Sequence, residues 1–253
     1  MTASSLVLIT GGSRGLGRSA ALTLADHGHD VIVTYHRNVD EAKAVVSEIA
    51  AKGRKAAALQ LDTGDVSSFP DFVTTLRRAL DGEWGRDSFD ALVNNAGVGI
   101  HKSFAETDEA SFDMLMNIHF KGVFFLTQKL LPLIADGGRI LNVSSGLARF
   151  SLPGMAAYGS MKGAIEVLTR YLAAELGPRR ISVNVIAPGA IETDFGGGRV
   201  RDDAATNAQI AGNTALGRVG VPDDIGGAMA MLLAPESRWI NGQRIEVSGG
   251  IYL

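Results

Sequence analysis

Residues 6–17 read LVLITGGSRGLG: five apolar or β-branched residues stop at a glycine pair and run into a helix-forming sequence. The run 6–10 has the length and unbroken apolar character of a strand buried on both faces. Gly11 permits a tight turn, Gly15 lets backbone approach a phosphate, and Gly17 allows the helix to pack closely on the strand. Free N–H groups and the positive dipole end of the helix then face whatever lies above the turn. A glycine-rich turn of this kind also occurs with no ligand. Here a strand before it and a helix after it favour a nucleotide.

The same alternation repeats outward from that point. Further strands are predicted at 30–35 (DVIVTY), 55–62 (KAAALQLD), 90–97 (DALVNNAG), 138–145 (GRILNVSS), 181–189 (ISVNVIAPG) and 243–250 (QRIEVSGG). Helical patterns separate them. They include a long amphipathic stretch from about Glu109 to Ile134, a helix running through Tyr158 and Lys162 to about Leu176, and one around 223–234. No repeat or linker divides the chain, so a single unit over 1–253 is expected. Apolar strands alternating with helices predict an α/β fold, a Rossmann-type doubly wound parallel sheet of about seven strands covered on both faces. Ligands of such sheets bind at the carboxyl ends of the strands, beside the point where strand order reverses. The unusual stretches of this chain all fall there.

Composition narrows the classes. Hydrophobic residues make up 46% and charged residues 20%, a globular balance. Net charge is −3 without a basic block, which gives no reason to expect nucleic acid or an anionic membrane. With no cysteine, disulfides, thiol catalysis and thiolate metal sites are excluded, and no metal site is expected. The start, MTASSLVLITGG, lacks a basic n-region, and GVFFLTQKLLPLIA is interrupted by Gln128, Lys129 and Pro132. A cytoplasmic location is the expectation.

The stretch SSGLARFSLPGMAAYGSMKGA (144–164) carries the candidate chemistry. Tyr158 and Lys162 are four residues apart, so in a helix they share a face with about 6 Å of rise between them. A free phenol has a pKa of about 10, too high for easy proton transfer near neutrality. A nearby ammonium favours the tyrosinate and lowers that value. Alone, such a pair reads as ordinary helix surface. Ser145, thirteen residues upstream at the end of a strand, changes that reading, with Ser144 as a competing hydroxyl.

TGGSRGLG (10–17), NNAG (94–97), Ser145, YGSMK (158–162) and PGAIET (188–193) stand in order at spacings that resemble the short-chain dehydrogenase/reductase family over essentially all 253 residues. The resemblance implies an oxidoreductase of CH–OH groups that interconverts a carbonyl and a secondary alcohol. In that reading Ser145, selected over Ser144 by the family spacing, holds the substrate oxygen and Tyr158 is the acid–base. Lys162 lowers the Tyr158 pKa and binds the nicotinamide ribose. Dinucleotide contacts are implied at Gly11, Ser13, Arg14, Gly15, Leu16 and Gly17. They are also implied at Asn94, Ala96 and Gly97, and at Pro188, Gly189, Ile191 and Thr193, where Ile191 backbone and the Thr193 hydroxyl meet the carboxamide.

The second strand sets the cofactor's phosphate state. NAD-binding relatives place an acid at its end, whereas here it reads VTYHRN, with Tyr35 there and His36 and Arg37 behind. Arg14 resembles the basic residue of NADP-binding members, and Arg suits bidentate phosphate contact. NADP(H) is therefore favoured over NAD(H). Asp62 matches the family's adenine acceptor and is also placed to cap the following helix.

One position departs from the family. Its usual Asn, three residues before Gly122 in NIHFKGVFF, is His119 here, and Asn117 falls on a different helix face. Two readings stand: a packing histidine, or an imidazole taking over a proton relay. Residues 194–213 suit either a substrate lid or a surface loop, and Leu147, Arg149, Phe150, Ile191 and Phe195 are expected to shape the substrate pocket. The family resemblance implies a homotetramer, to which the apolar GVFFL and AIEVL stretches are suited. Alternatives are a 3-oxoacyl-carrier-protein reductase, with GPRR (177–180) as a basic docking element, or a non-catalytic dinucleotide sensor.

Overall fold

The computed structural model describes residues 5–253; residues 1–4, on which the reading of the N-terminus partly rests, lie outside them. Seven parallel strands form one sheet: β1 Leu6–Ile9, β2 Asp30–Tyr35, β3 Ala56–Gln60, β4 Phe89–Asn94, β5 Ile134–Val143, β6 Ser182–Pro188 and β7 Arg244–Val247. Their order is β3-β2-β1-β4-β5-β6-β7. Strand order reverses between β1 and β4, so the crevice for a ligand opens above that pair.

Strand pleating explains the layers. In β1, Val7 and Ile9 point into one core and Leu6 and Leu8 into the other, since successive side chains face opposite sides. The first core is closed by helices α1 Gly15–Asp26, α2 Val39–Ala51 and, near the other end of the chain, Pro222–Leu233. The second is closed by α3 Phe69–Ala79, which inserts Phe69, Phe72 and Leu76, and by the segments carrying Leu126, Leu130 and Ala173. Burying a side chain such as Phe69 completely is worth roughly 1.5–3 kcal/mol.

The long helix expected from Glu109 to Ile134 is broken in the structure. It consists of α4 Glu109–Met116, a π-helical turn Asn117–Lys121 and α5 Gly122–Leu130. Asp108 starts it by accepting the Ser111 N–H at 2.7 Å. Pro132 then stops helical hydrogen bonding, and Ile134 already pairs with Phe89, so β5 begins four residues earlier than expected. The π turn matters for function, because it buries His119 to 1% exposure beneath the end of β4. After it come α6 Ala156–Glu175, α7 Arg199–Asp202, α8 Ala204–Gly212 and α9, the Pro222–Leu233 helix already met. Among the described residues no helix is long and apolar enough to cross a membrane.

Candidate active site

The glycine turn is built as its composition requires. Gly11 has φ +66°, and a Cβ on it would lie 2.9 Å from Ala96 Cα. Three strand ends are stapled here. Gly12 N–H donates to Thr34 O at 2.9 Å, and Thr10 Oγ1 accepts from Asn95 and Ala96 N–H, each at 3.0 Å. The α1 N-terminus is bare: Arg14 makes no side-chain cap and no acid stands in the first turn. Its N–H groups are left for an anion. Leu16 packs against the first core, and Ser13 lies half-buried in the turn.

Around this turn the other expected contacts fall into place unevenly. Thr193 Cγ2 comes within 3.6 Å of where a Gly15 Cβ would be, which brings the segment after β6 over the turn. Within that segment Gly189 N–H donates to Val247 O at 3.1 Å, and Ile191 bridges Gly220. At the end of β2, Tyr35 is half-buried while His36 and Arg37 are exposed. His36 Nε2 sits 3.3 Å from Asp62 Oδ2, and Asp62 Oδ1 accepts the Gly64 N–H at 2.8 Å. The helical turn that follows is capped by Asp65 instead, which corrects the capping role expected of Asp62. Arg14 is 60% exposed, with its guanidinium 3.7 Å from Asp194.

Asn94 departs from expectation more clearly. Its side chain is buried between the sheet and α5, with Nδ2 donating to Asn142 Oδ1 at 2.8 Å and Thr127 Oγ1 at 3.1 Å. It ties strands together and does not face the turn. The neighbour that does is Asn95, whose Nδ2 donates to Thr10 O at 2.9 Å and Gly11 O at 3.0 Å. Sequence reasoning passed over Asn95, although the doubled Asn of NNAG was the available signal.

The hydroxyl and amine groups converge at the end of β5. Ser145 starts a short 3-10 turn, with Oγ accepting from Leu147 N–H at 3.2 Å, and its hydroxyl lies near enough to the Tyr158 phenol to act on that group's pKa. Ser144, the competitor, turns the other way and donates to Glu166 Oε1 at 2.7 Å. Tyr158 and Lys162 lie on one face of α6, both buried, with Lys162 Nζ 5.5 Å from the phenol ring centroid. Nζ donates to Val143 O at 2.7 Å. Burial pushes the Tyr158 pKa well above its ordinary value, partly offset by the Ser145 hydrogen bond. Burial also brings the Lys162 pKa down to about 7.

His119 stands edge-on to Tyr158, with centroids 5.1 Å apart at 88°. Its Nε2 is 2.7 Å from Val98 O and 3.2 Å from Val98 N. One nitrogen cannot donate and accept at once, and the shorter contact assigns Nε2–H to the carbonyl. Nδ1 is then a buried acceptor with no hydrogen-bond partner. A Cβ on Gly97 would lie 2.7 Å from His119 Cε1, so the glycine of NNAG makes room for the imidazole. Burial, then the charge of Lys162, lowers the His119 pKa to about 3. It is neutral at pH 7.

On the substrate side, Leu147 packs beside Tyr158 and Phe150 meets Tyr252 edge-on, with centroids 4.8 Å apart. Arg149 is engaged elsewhere. It pairs with Glu246 at 2.8 Å and donates to the Ile251 and Tyr252 carbonyls, pinning the chain's end. Residues 194–213 are mostly helical, with Phe195 leading three glycines into α7 and α8. Arg179 of GPRR is engaged by Asp136 and two carbonyls. Among the described residues no three His, Asp or Glu are grouped to hold a metal ion.

The family model described as enoyl-(acyl carrier protein) reductase, a short-chain dehydrogenase/reductase model, matches residues 11–252. A hydroxynaphthalene reductase-like protein, Arp2 of Metarhizium brunneum, is 35% identical over 98% of this chain and 95% of its own length. Among solved structures, the promiscuous reductase LugOII, which catalyses keto-reduction at C1 during lugdunomycin biosynthesis, superposes with a TM-score of 0.94 at 35% identity over 99% of both chains. The angucycline C-6 ketoreductase LanV, solved with bound NADP, gives 0.92 at 35% identity over 98% of this chain and 95% of its own.

Proposed function

The chain belongs to the short-chain dehydrogenase/reductase family, and from that premise we propose that it is an NADPH-dependent reductase interconverting a ketone and a secondary alcohol. One observation carries the reading. Ser145, Tyr158 and Lys162 meet at the carboxyl end of β5, beside a glycine turn whose helix N-terminus is uncapped.

The residues present fit the dinucleotide. The Gly11 approach to Ala96 and the bare first turn of α1 form a cradle that side chains would fill. No carboxylate ends β2, and Arg14 and Arg37 are exposed near it, which supports a 2′-phosphate over a free ribose. NADP bound to LanV supports the same choice. When bound, NADPH supplies the hydride that reduces the carbonyl carbon.

The chain's own residues handle charge and proton. Ser145 donates a hydrogen bond to the substrate oxygen, where negative charge develops. Tyr158 gives that oxygen its proton; a phenol held protonated by burial is the form a reduction needs. Lys162 lies one turn on, where its ammonium stabilises the phenolate left behind. His119 acts as a neutral positioning group. Its Nε2–H fixes the Val98 backbone, and Nδ1 offers an acceptor close to Lys162. A pKa of about 3 argues against a charged relay through this ring.

Residues 194–213 are assigned as the substrate lid, and Phe124, Val167 and Tyr171, exposed on α5 and α6, support a homo-oligomer built on those helices. The substrates of Arp2-like and angucycline reductases support trying cyclic ketones first. NADPH oxidation with a ketone panel tests the reading, and a protein that binds NADPH yet reduces no ketone would fit the sensor alternative.

A further inference from the structure

Tyr158 is 7% exposed, so little of its surface is open while its neighbours stay in place. Of the three side chains in ring or cation contact with it, His119 and Lys162 are buried in the core. The third is Phe195, whose ring centroid is 5.5 Å from that of Tyr158, tilted by 59°. Phe195 keeps 41% of its surface exposed. Gly99 approaches the same ring so closely that a Cβ there would lie 2.8 Å from Phe195 Cε1. The ring therefore touches both the loop after β4 and Tyr158, and the absence of a side chain at Gly99 leaves it room.

The segment behind the ring is a run of glycines. Gly196, Gly197 and Gly198 have φ of 63°, 79° and 77°, three left-handed residues in succession. Glycine crosses between φ signs without the penalty other residues meet. On either side the chain is anchored. Thr193 Oγ1 accepts the Phe195 N–H at 3.2 Å, and Asn207 in α8 donates to Glu192 at 2.8 Å.

We propose that Phe195 is a stand-in for substrate: it swings out about Gly196–Gly198, and the aromatic ring of an aryl-fused ketone takes its slot between Gly99 and Tyr158. The inference rests on the ketone-reductase reading and deepens it by naming the substrate class. When Phe195 leaves, its contact with Tyr158 is lost; a flat aromatic ligand restores that contact and a saturated one does not. A ring pair is worth roughly two- to tenfold in an equilibrium.

β-Tetralone and its saturated counterpart β-decalone differ in the ring and not in conjugation of the carbonyl. With NADPH, the wild type should favour β-tetralone in kcat/KM by roughly two- to tenfold. Phe195→Ala should lower KM for both, because no closed population competes with substrate. Gly99→Ala should raise KM for β-tetralone, since its methyl narrows the slot for any ring. Equal kcat/KM for the two ketones, or a raised KM in Phe195→Ala, would make Phe195 a fixed wall and overturn the proposal. Calorimetric titration of both ketones onto the NADP-bound protein reads the slot without turnover. A ring preference in binding with no turnover would keep the slot and remove the reductase reading. Equal binding would remove the slot.

Discussion

His119 Nε2 lies 2.7 Å from the carbonyl oxygen of Val98, and the same ring stands edge-on to Tyr158. That bond fixes the tautomer and leaves a buried neutral imidazole where burial forbids charge. The unfolded chain binds a proton on this histidine near its ordinary value of 6.5, while the folded pKa is about 3. Between those values the unfolded state holds more protons, so stability falls as pH falls. The contribution is complete above pH 6.5 and gone below about 3. His119→Asn should therefore lose less melting temperature than wild type between neutral pH and pH 4. Parallel curves for the two proteins would mean that His119 titrates freely.

The same residue separates positioning from packing. His119→Ala leaves the Val98 carbonyl without its donor and a space beside Tyr158, so turnover should fall more than substrate affinity. Asn restores a donor and should recover much of the rate. An alanine variant that melts early yet turns over normally across pH would return the ring to a packing role.

Arg14 and Asp194 face each other at 3.7 Å, both well exposed. A charge-assisted contact is worth about 1.5–3 kcal/mol, and exposure puts Arg14 at the low end. Arg14→Ala should weaken NADPH binding about tenfold with little effect on NADH. Asp194→Asn frees the guanidinium and should move NADPH affinity the other way by a smaller factor. Fluorescence titration of both nucleotides onto both variants reads this directly. Equal losses for NADH and NADPH would detach Arg14 from the 2′-phosphate.

Asn95 donates twice, to Thr10 O and Gly11 O, and so holds the shape of the glycine turn. Asn95→Ala leaves two carbonyls unpaired, at a cost of about 1–3 kcal/mol. Thermal melting should drop by several degrees, and NADPH affinity should fall more than ketone affinity. A normal melt with unchanged NADPH binding would show that the turn holds itself.

The fold was legible because strands buried on both faces write themselves as unbroken apolar runs. Leu6–Ile9 and Ser182–Pro188 left little room for another reading. Candidate catalytic groups were equally visible, since Tyr158 and Lys162 lie within one helix and their spacing is local. What the sequence concealed depended on contacts across the fold. The π turn at Asn117–Lys121 follows from packing His119 under β4, and no local propensity announces it. That the Asn95 side chain, and not that of Asn94, reaches the glycine turn is a matter of which face each occupies at the end of β4. Arg149 looked like a pocket residue until β7 brought Glu246 beside it. The burial that raises the Tyr158 pKa and lowers that of Lys162 was hidden for the same reason, since burial is a property of the whole chain.

The most direct test compares wild type with Tyr158→Phe, following NADPH oxidation with cyclic ketones and measuring the NADPH dissociation constant on each protein. Only a transferable proton is removed, and general acid catalysis contributes about 10²–10⁴-fold. The account predicts a loss of turnover on that scale with NADPH binding nearly intact. A Tyr158→Phe variant that reduces the same ketones at close to the wild-type rate would contradict it.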